Sequence, residues 1–339
     1  MALKQQGFTP DLIIGHPGWG ETLLLREIFK EARQILYGEF YYRSTGADSG
    51  FDPEFDAFDV ARGFRVQAKN ATLALAYVDA ERIVCPTAFQ ASLLPPLFRS
   101  RVTVVHEGVD TKHVDKNAAA QFTLAGGRVL DRSTPVITFI NRRFEPQRGF
   151  HIFMRALPKV LAAIPNVEVL LIGSDDPDVY GVRAPAGTTW KQRFLDEVKD
   201  RVDERRIHFT GHLPHDRMLA ALSISTAHVY YTYPFVLSWS LLEAMACKCL
   251  VVASDTGPVR DAIENGKSGI LLDFFDVDGL SDALIRACRD PAAFLPLRQA
   301  ARDTVVARFD RDRVCRPAWL ELVKNVLGGE ERGLTPHEN

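Results

Sequence analysis

Residues 134–173 read TPVITFINRRFEPQRGFHIFMRALPKVLAAIPNVEVLLIG. The β-branched run VITFI is followed by FHIFMRALPKVLAAI, whose apolar positions recur at helical spacing, and then by a second apolar run, VEVLLIG. That is a strand, a helix and a strand. Runs with so few polar positions predict strands covered on both faces, and hence a parallel sheet joined by crossover helices. The same rhythm continues through IHFTG, DRMLAALSI, AHVYY, SWSLLEAMA, LVVAS, VRDAIENG, GILLD and VDGLSDALIRACRD. Six strands separated by helices predict a doubly wound α/β domain.

Towards the N-terminus the pattern is sparser but similar: DLIIG, ETLLLREIFKEA, ILYGEFYY, a helix from about Val60 to Tyr77, RIVCP and VTVVHEG. These predict a smaller sheet of four strands. Between the halves, Asp110 to Ser133 is polar and glycine-bearing with little apolar periodicity, which reads as a linker. The expected division is a first domain over 1–125, a second over 134–309, and a C-terminal helix and tail over 310–339, frayed after Gly328. A chain of 339 residues suits two domains, with a cleft expected between them.

Lys plus Arg total 41 against 43 for Asp plus Glu, and 46% of residues are hydrophobic. This balance excludes disordered, collagen-like and strongly nucleic-acid-binding classes. No apolar run reaches the roughly 18 residues that span a bilayer, and MALKQQGF has no signal-peptide core, so a cytoplasmic address is expected. The five cysteines, at 85, 247, 249, 288 and 315, are odd in number and read as reduced thiols. Cys247 and Cys249 form C-x-C with no zinc-ligand cluster nearby, so no metal is expected there.

In a doubly wound sheet, ligands bind at the carboxyl ends of the strands, where helix N-termini offer N–H groups to anions. Strand VITFI ends in Asn141-Arg142-Arg143-Phe144-Glu145-Pro146-Gln147-Arg148-Gly149, with three arginines just before a helix. Arginine forks suit phosphate oxygens, although a solvated basic turn reads equally well. A second turn, Tyr233 to Ser240, leads into a helix whose Glu243 lies among Leu241, Leu242, Ala244, Met245 and Ala246. A carboxylate there either lies on the helix surface or needs a buried partner such as the paired hydroxyls of a ribose.

These segments together resemble the retaining glycosyltransferases of GT-B fold, family four, also called glycosyltransferase group 1. Arg143 and Arg148-Gly149 match the family's R-x4-K-G, with arginine replacing lysine. Glu243-Ala244-Met245-Ala246 matches the second glutamate of E-x7-E, Ser254-Asp255-Thr256-Gly257 with Asp261 the following turn, and Asn265-Gly266-Lys267-Ser268-Gly269 the last piece. With Phe209-Thr210-Gly211, the matches run in order from about Val136 to Asp273. The N-terminal half matches more loosely through Ala80 to Pro86 and Val105 to Asp110, and Gly15-His16-Pro17-Gly18-Trp19-Gly20-Glu21 resembles the acceptor-domain histidine region.

The resemblance implies two Rossmann-like doubly wound domains facing a cleft, the first incomplete, and transfer of a sugar from a nucleotide-diphosphate sugar with retention of configuration. It implies no cofactor and no metal. Arg143 and Arg148 would hold the donor diphosphate and His16 would serve the acceptor side, the three forming the expected catalytic set. Glu243 would bind the ribose, the N–H groups around Leu237, Ser238 and Trp239 would face the phosphates, and Gly211 would border the donor. Asp176-Pro177-Asp178 has metal-site spacing but reads as a solvated loop. For Glu21 and Arg26 only nearness in sequence speaks, and Phe40-Tyr41-Tyr42-Arg43 reads as core or cleft lining.

Two departures stand out. The first glutamate of E-x7-E falls on Phe235, and the usual glycine step becomes Val236-Leu237-Ser238. Units that normally precede the segment like DLIIGHPGWG are missing. The alternative reading is therefore a non-catalytic nucleotide- or glycan-binding remnant. A glycan or lipid-linked acceptor, peripheral membrane contact, a partner chain or second copy covering the incomplete sheet, and a role in polysaccharide assembly are the expected associations.

Overall fold

The computed structural model describes residues 1–56, 59–116, 121–177 and 179–328. The described residues form two compact units: the first from 1–44, 59–108 and 312–328, the second from 45–56 and the described part of 109–311. These boundaries differ from the sequence expectation in three places.

In the first unit, β1 (Leu12–Gly15), β2 (Arg33–Tyr37), β3 (Arg82–Cys85) and β4 (Val102–Val104) form a parallel sheet in that order. Alternate side chains leave a strand on opposite faces. Leu36 and Ile83 therefore meet Leu73, Ala76 and Tyr77 of the helix Val60–Val78, while Ile35 and Val84 meet Leu322 and Val326 of the helix Arg316–Gly328. That last contact is why the C-terminal helix belongs to this unit and is no separate tail. The helix expected from ETLLLREIFKEA shrinks to Leu25–Ile28. Its Arg26 instead donates to the carbonyls of Ala32 at 3.0 Å and Asp79 at 2.7 Å and to Glu81 Oε1 at 2.9 Å, which folds the segment into an irregular turn.

The second unit opens with a hairpin of β5 (Gln121–Thr123) and β6 (Val129–Asp131). It continues with β7 (Val136–Arg143), β8 (Glu168–Ser174), β9 (Ile207–Gly211), β10 (Ala227–Tyr230), β11 (Leu250–Ser254) and β12 (Ile270–Leu272). All six are parallel, in the order β12-β11-β10-β7-β8-β9. Ile137, Phe139, Val169 and Val252 face the helices Phe150–Ala163 and Val277–Arg289, while Val136, Leu170, Val251 and Ala253 face His215–Ile224 and Trp239–Ala246. The linker expected over Asp110 to Ser133 is ordered where described: Val114, Phe122 and Leu130 are buried in this core, beside a short helix at Thr111–Lys116.

Residues 45–56, far from this unit in sequence, also belong to it. Phe51 packs its ring 5.0 Å from Tyr233 and 5.2 Å from Phe274, and Phe55 lies 5.1 Å from Trp190. Asp52, buried between them, accepts from Tyr233 Oη at 2.8 Å and pairs with His151 Nε2 at 3.1 Å. All five cysteines are free, and burial pushes the Cys85 and Cys288 thiols up to about 12, which makes them inert at neutral pH. Among the described residues no helix is long and apolar enough to cross a membrane.

Candidate functional site

Strand order in the second unit runs β7, β8, β9 to one side and β10, β11, β12 to the other. The reversal between β7 and β10 is the topological switch point, where an open α/β sheet leaves a crevice at its carboxyl edge. Arg143 closes β7, and the segment after β10 carries Thr232, Phe235 and Val236. The sequence-predicted arginines thus lie at the position the topology favours for a ligand.

Arg143 is largely covered, with a side chain 13% exposed, and its Nη2 donates to Asp176 Oδ2 at 3.3 Å. Asp178, the other carboxylate of the Asp-Pro-Asp run, lies outside the described residues. Arg148 sits in the tight turn Pro146–Arg148, which closes on Gly149 at φ +68°. A Cβ there would also lie 2.3 Å from Tyr231 Cβ, so both conformation and space call for glycine. Buried Arg148 donates through Nη1 to Thr232 Oγ1 at 3.0 Å and to the Val236 carbonyl at 3.3 Å. These bonds tie the β7 turn to the β10 turn.

Glu145 is buried in the same turn and accepts from the backbone N–H of Tyr180 at 2.9 Å and Gly181 at 3.4 Å. Burial pushes its carboxyl up, opposed by Arg148, these two N–H groups and Arg143. Glu145 is not among the residues expected from the sequence, although it is a carboxylate set between arginines in a turn.

Phe235 is buried among its neighbours. Its buried ring lies 5.5 Å from Arg148 Cζ and 5.9 Å from the Tyr180 ring. Leu237 is buried in the core, whereas Trp239 is 57% exposed. Ser238 caps the helix Trp239–Ala246, its Oγ accepting from Ser240 N at 3.3 Å, while its own N–H donates to Tyr230 Oη at 2.8 Å. Gly211 ends β9 at φ +69° with open space around it.

Glu243 is not a freely solvated surface carboxylate. Its side chain is 13% exposed and Oε1 meets His215 Nε2 at 2.6 Å. Burial raises its carboxyl, and His215 and His113 pull it back. His215 stacks on His113 with ring centres 5.6 Å apart, and His113 Nε2 meets Asp216 Oδ1 at 2.8 Å. Neither histidine was singled out from the sequence, because only folding brings residues 113, 215 and 243 together. Ligand atoms of His113, His215 and Asp216 lie within 4.8 Å of one another, as do those of Asp52, Glu54 and His151, so each trio has spacing that could hold a cation. A cavity of about 780 Å³ lies at the opposite, amino ends of β7 and β10, lined by Arg132, Thr226 and Arg298, and is therefore separate from the switch-point crevice.

In the first unit, His16 follows β1. Its Nδ1 accepts from Gly18 N at 3.1 Å, which leaves the proton on Nε2, 3.2 Å from Glu39 Oε2. Its ring lies tilted between Trp19, at 5.0 Å and 31°, and Tyr37, at 5.8 Å and 34°. Glu21 Oε2 accepts from Trp19 N at 3.1 Å. Phe40 is buried against Tyr42 at 5.2 Å, and Asn70 fastens the Tyr42 backbone, so this pair belongs to the core.

Solved structures of GT-B glycosyltransferases share this architecture. Sucrose-phosphate synthase (tll1590) from Thermosynechococcus elongatus aligns with a TM-score of 0.71 at 18% identity, over 95% of this chain and 75% of that one. Anabaena Alr3699/HepE, solved in complex with UDP and glucose, aligns with a TM-score of 0.61 at 17% identity, over 93% and 78%. Residues 1–114 match the glycosyl transferase family 4 group and residues 128–304 match the glycosyl transferases group 1. The chain belongs to the group 1 glycosyltransferase family. It is 32% identical over 201 residues to the phosphatidyl-myo-inositol mannosyltransferase of Mycolicibacterium smegmatis, covering 58% of this chain and 45% of that protein. It is 27% identical over 211 residues to a Mycobacterium tuberculosis glycogen synthase, covering 62% and 45%. The chain spans about half the length of these curated relatives.

Proposed function

We propose that this chain transfers a sugar from a nucleoside-diphosphate sugar to an acceptor hydroxyl, with retention of configuration and without a metal ion. The observation that carries the reading is that Arg143, closing β7, and Arg148, held by Thr232 and Val236, both lie in the turn at the switch point. Two guanidinium groups there would bind the diphosphate and oppose the charge that grows on it as the sugar–phosphate bond breaks. N–H groups opening the helix Trp239–Ala246 would add a fixed positive potential, and Glu243 would accept from the ribose hydroxyls once His215 turns aside. Two arginines can supply the charge that a divalent cation supplies elsewhere, which is the basis of the metal-independent reading.

The solved relative holding UDP and glucose and the mannosyltransferase relative support a sugar nucleotide as donor and a hydroxyl-rich acceptor. The test is binding of nucleoside diphosphates to the purified chain, followed by sugar transfer with EDTA present. Binding that survives Arg148→Ala, or transfer that stops in EDTA, overturns the corresponding part. The second reading, a nucleotide- or glycan-binding remnant, is favoured by one observation: Phe235 packs on Arg148 and offers no carboxylate to a donor sugar. Transfer by this chain excludes it.

A further inference from the structure

In the first unit, four aromatic rings form a ladder along the carboxyl ends of β1 and β2. Trp19 lies 5.0 Å from His16, His16 5.8 Å from Tyr37, and Tyr37 is stacked 6.5 Å from Trp319 of the C-terminal helix. The outermost ring is open, since Trp19 is 80% exposed. It is nonetheless set in place by its turn. A Cβ on Gly18 would fall 2.5 Å from His16 Cε1, so only glycine lets the turn approach the imidazole this closely, and the Trp19 N–H is fastened to Glu21. The hydrogen bonds described from this ladder to charged side chains go to carboxylates: His16 to Glu39, Tyr37 to Glu107 and the Trp19 backbone to Glu21.

We propose that this ladder is a subsite for an uncharged sugar ring and that it discriminates against phosphate-bearing acceptors, an inference that rests on the glycosyltransferase reading above. The C–H face of a pyranose matches an open aromatic face, whose π-cloud is electron-rich. Its hydroxyls are donors, and an ionised carboxylate offers about four acceptor positions, so Glu39 can hold the His16 proton and still receive a hydroxyl. A phosphate is an acceptor with up to two negative charges. Beside the carboxylates of Glu21 and Glu39 it meets like charge.

The experiment uses the full chain and matched probes: methyl α-D-mannopyranoside against mannose 6-phosphate, and methyl α-D-glucopyranoside against glucose 6-phosphate. Binding is read by saturation-transfer NMR and by tryptophan fluorescence, with and without nucleoside diphosphate. The expected result is binding of at least one neutral glycoside, with its phosphorylated counterpart at least tenfold weaker. Trp19→Ala should weaken the neutral probe at least tenfold and leave the thermal shift caused by nucleotide unchanged. Glu39→Gln should narrow the discrimination. Equal or tighter binding of the phosphorylated probe, no binding of either neutral glycoside, or neutral binding indifferent to Trp19→Ala would overturn the proposal. Loss of the nucleotide shift in the unaltered chain would instead strike the donor-site reading, so the two can fail separately.

Discussion

The guanidinium of Arg148 lies 5.5 Å from the centre of the Phe235 ring. The position that disrupts the two-glutamate E-x7-E pattern is thereby packed on the second cation of the separate R-x4-K-G pattern. A cation over an aromatic face is worth about 0.5–2 kcal/mol according to its desolvation. Phe235→Leu, which keeps the bulk and loses the ring, should weaken nucleoside diphosphate binding about 3- to 10-fold, and Phe235→Tyr should leave it nearly unchanged. Calorimetric titration checks this. An unaltered affinity in Phe235→Leu would mean that the ring is only filler.

Arg148→Lys should lose more than its unchanged charge suggests. The lysine ammonium has no planar fork with which to bridge Thr232, Val236 and a phosphate together. Affinity for nucleoside diphosphate should fall at least about tenfold, the scale of one charge-assisted hydrogen bond. Retention of full affinity would remove Arg148 from the donor site.

Glu243 gives the donor site a pH dependence of definite sign. Burial raises its carboxyl, so as pH falls through that raised value the group protonates and loses its capacity to accept from two hydroxyls. Nucleotide affinity should therefore decline on the acid side, while inorganic pyrophosphate, which has no ribose, should show no such decline from this group. His215→Ala removes a partner that pulls the carboxyl down, and should move the decline to higher pH. Titrations of both ligands from pH 7.5 to 5 are the check, and a decline unmoved in His215→Ala would detach it from Glu243.

Acid should weaken both units through histidines held neutral. Burial lowers His106 in the first unit to about 4 and His228 in the second to about 3, from an ordinary value near 6.5. The unfolded chain takes up these protons first, so stability is complete above about pH 6.5 and is lost as pH falls towards the folded values, by up to about 3 kcal/mol at His106. Thermal unfolding across pH 7.5 to 4.5 should show the loss. His228→Gln should flatten it for the second unit, whatever its cost at neutral pH.

Asp52→Ala should destabilise the second unit by about 1–3 kcal/mol, the cost of leaving buried polar groups without their partner. It strands the Tyr233 hydroxyl and His151 in the interior. Burial of Asp52 opposes its charge, but the bonds from His151, Tyr233 and the Glu54 N–H outweigh it and hold the carboxyl low. Chemical denaturation of the variant measures this cost, and a loss below about 1 kcal/mol would show that the segment merely rests on the surface.

Strands β7 to β12 are legible in the sequence because a strand covered on both faces is a nearly unbroken apolar run, as VEVLLIG shows. Arg143 and Arg148 stand out in the sequence because they follow such a run at the end of β7, and Glu243 because it interrupts an apolar helix; the structure gives each a polar partner, Asp176, Thr232 and His215. What escapes is long-range. Phe51 and Asp52 lack any periodicity and find their partners at Tyr233, Phe274 and His151, about a hundred or more residues on. His215 and His113 escape in the same way. The helix expected around Arg26 gives way to a turn whose guanidinium bonds the Ala32 and Asp79 carbonyls and Glu81, partners up to 55 residues away that no local periodicity shows. The apparent linker hides Val114, Phe122 and Leu130, which are spaced too widely for a periodic signal yet complete a core.

The central claim is that the switch point of the second unit binds a nucleoside diphosphate. Its most direct test is a thermal-shift titration of the full chain with UDP, GDP, ADP and TDP, repeated in Arg148→Ala and Glu243→Ala, since a ligand that binds only the folded state raises the melting temperature. A donor site at the switch point gives a saturable shift with at least one nucleotide, lost in both variants. No shift with any of the four, or a shift that both variants preserve, would contradict it.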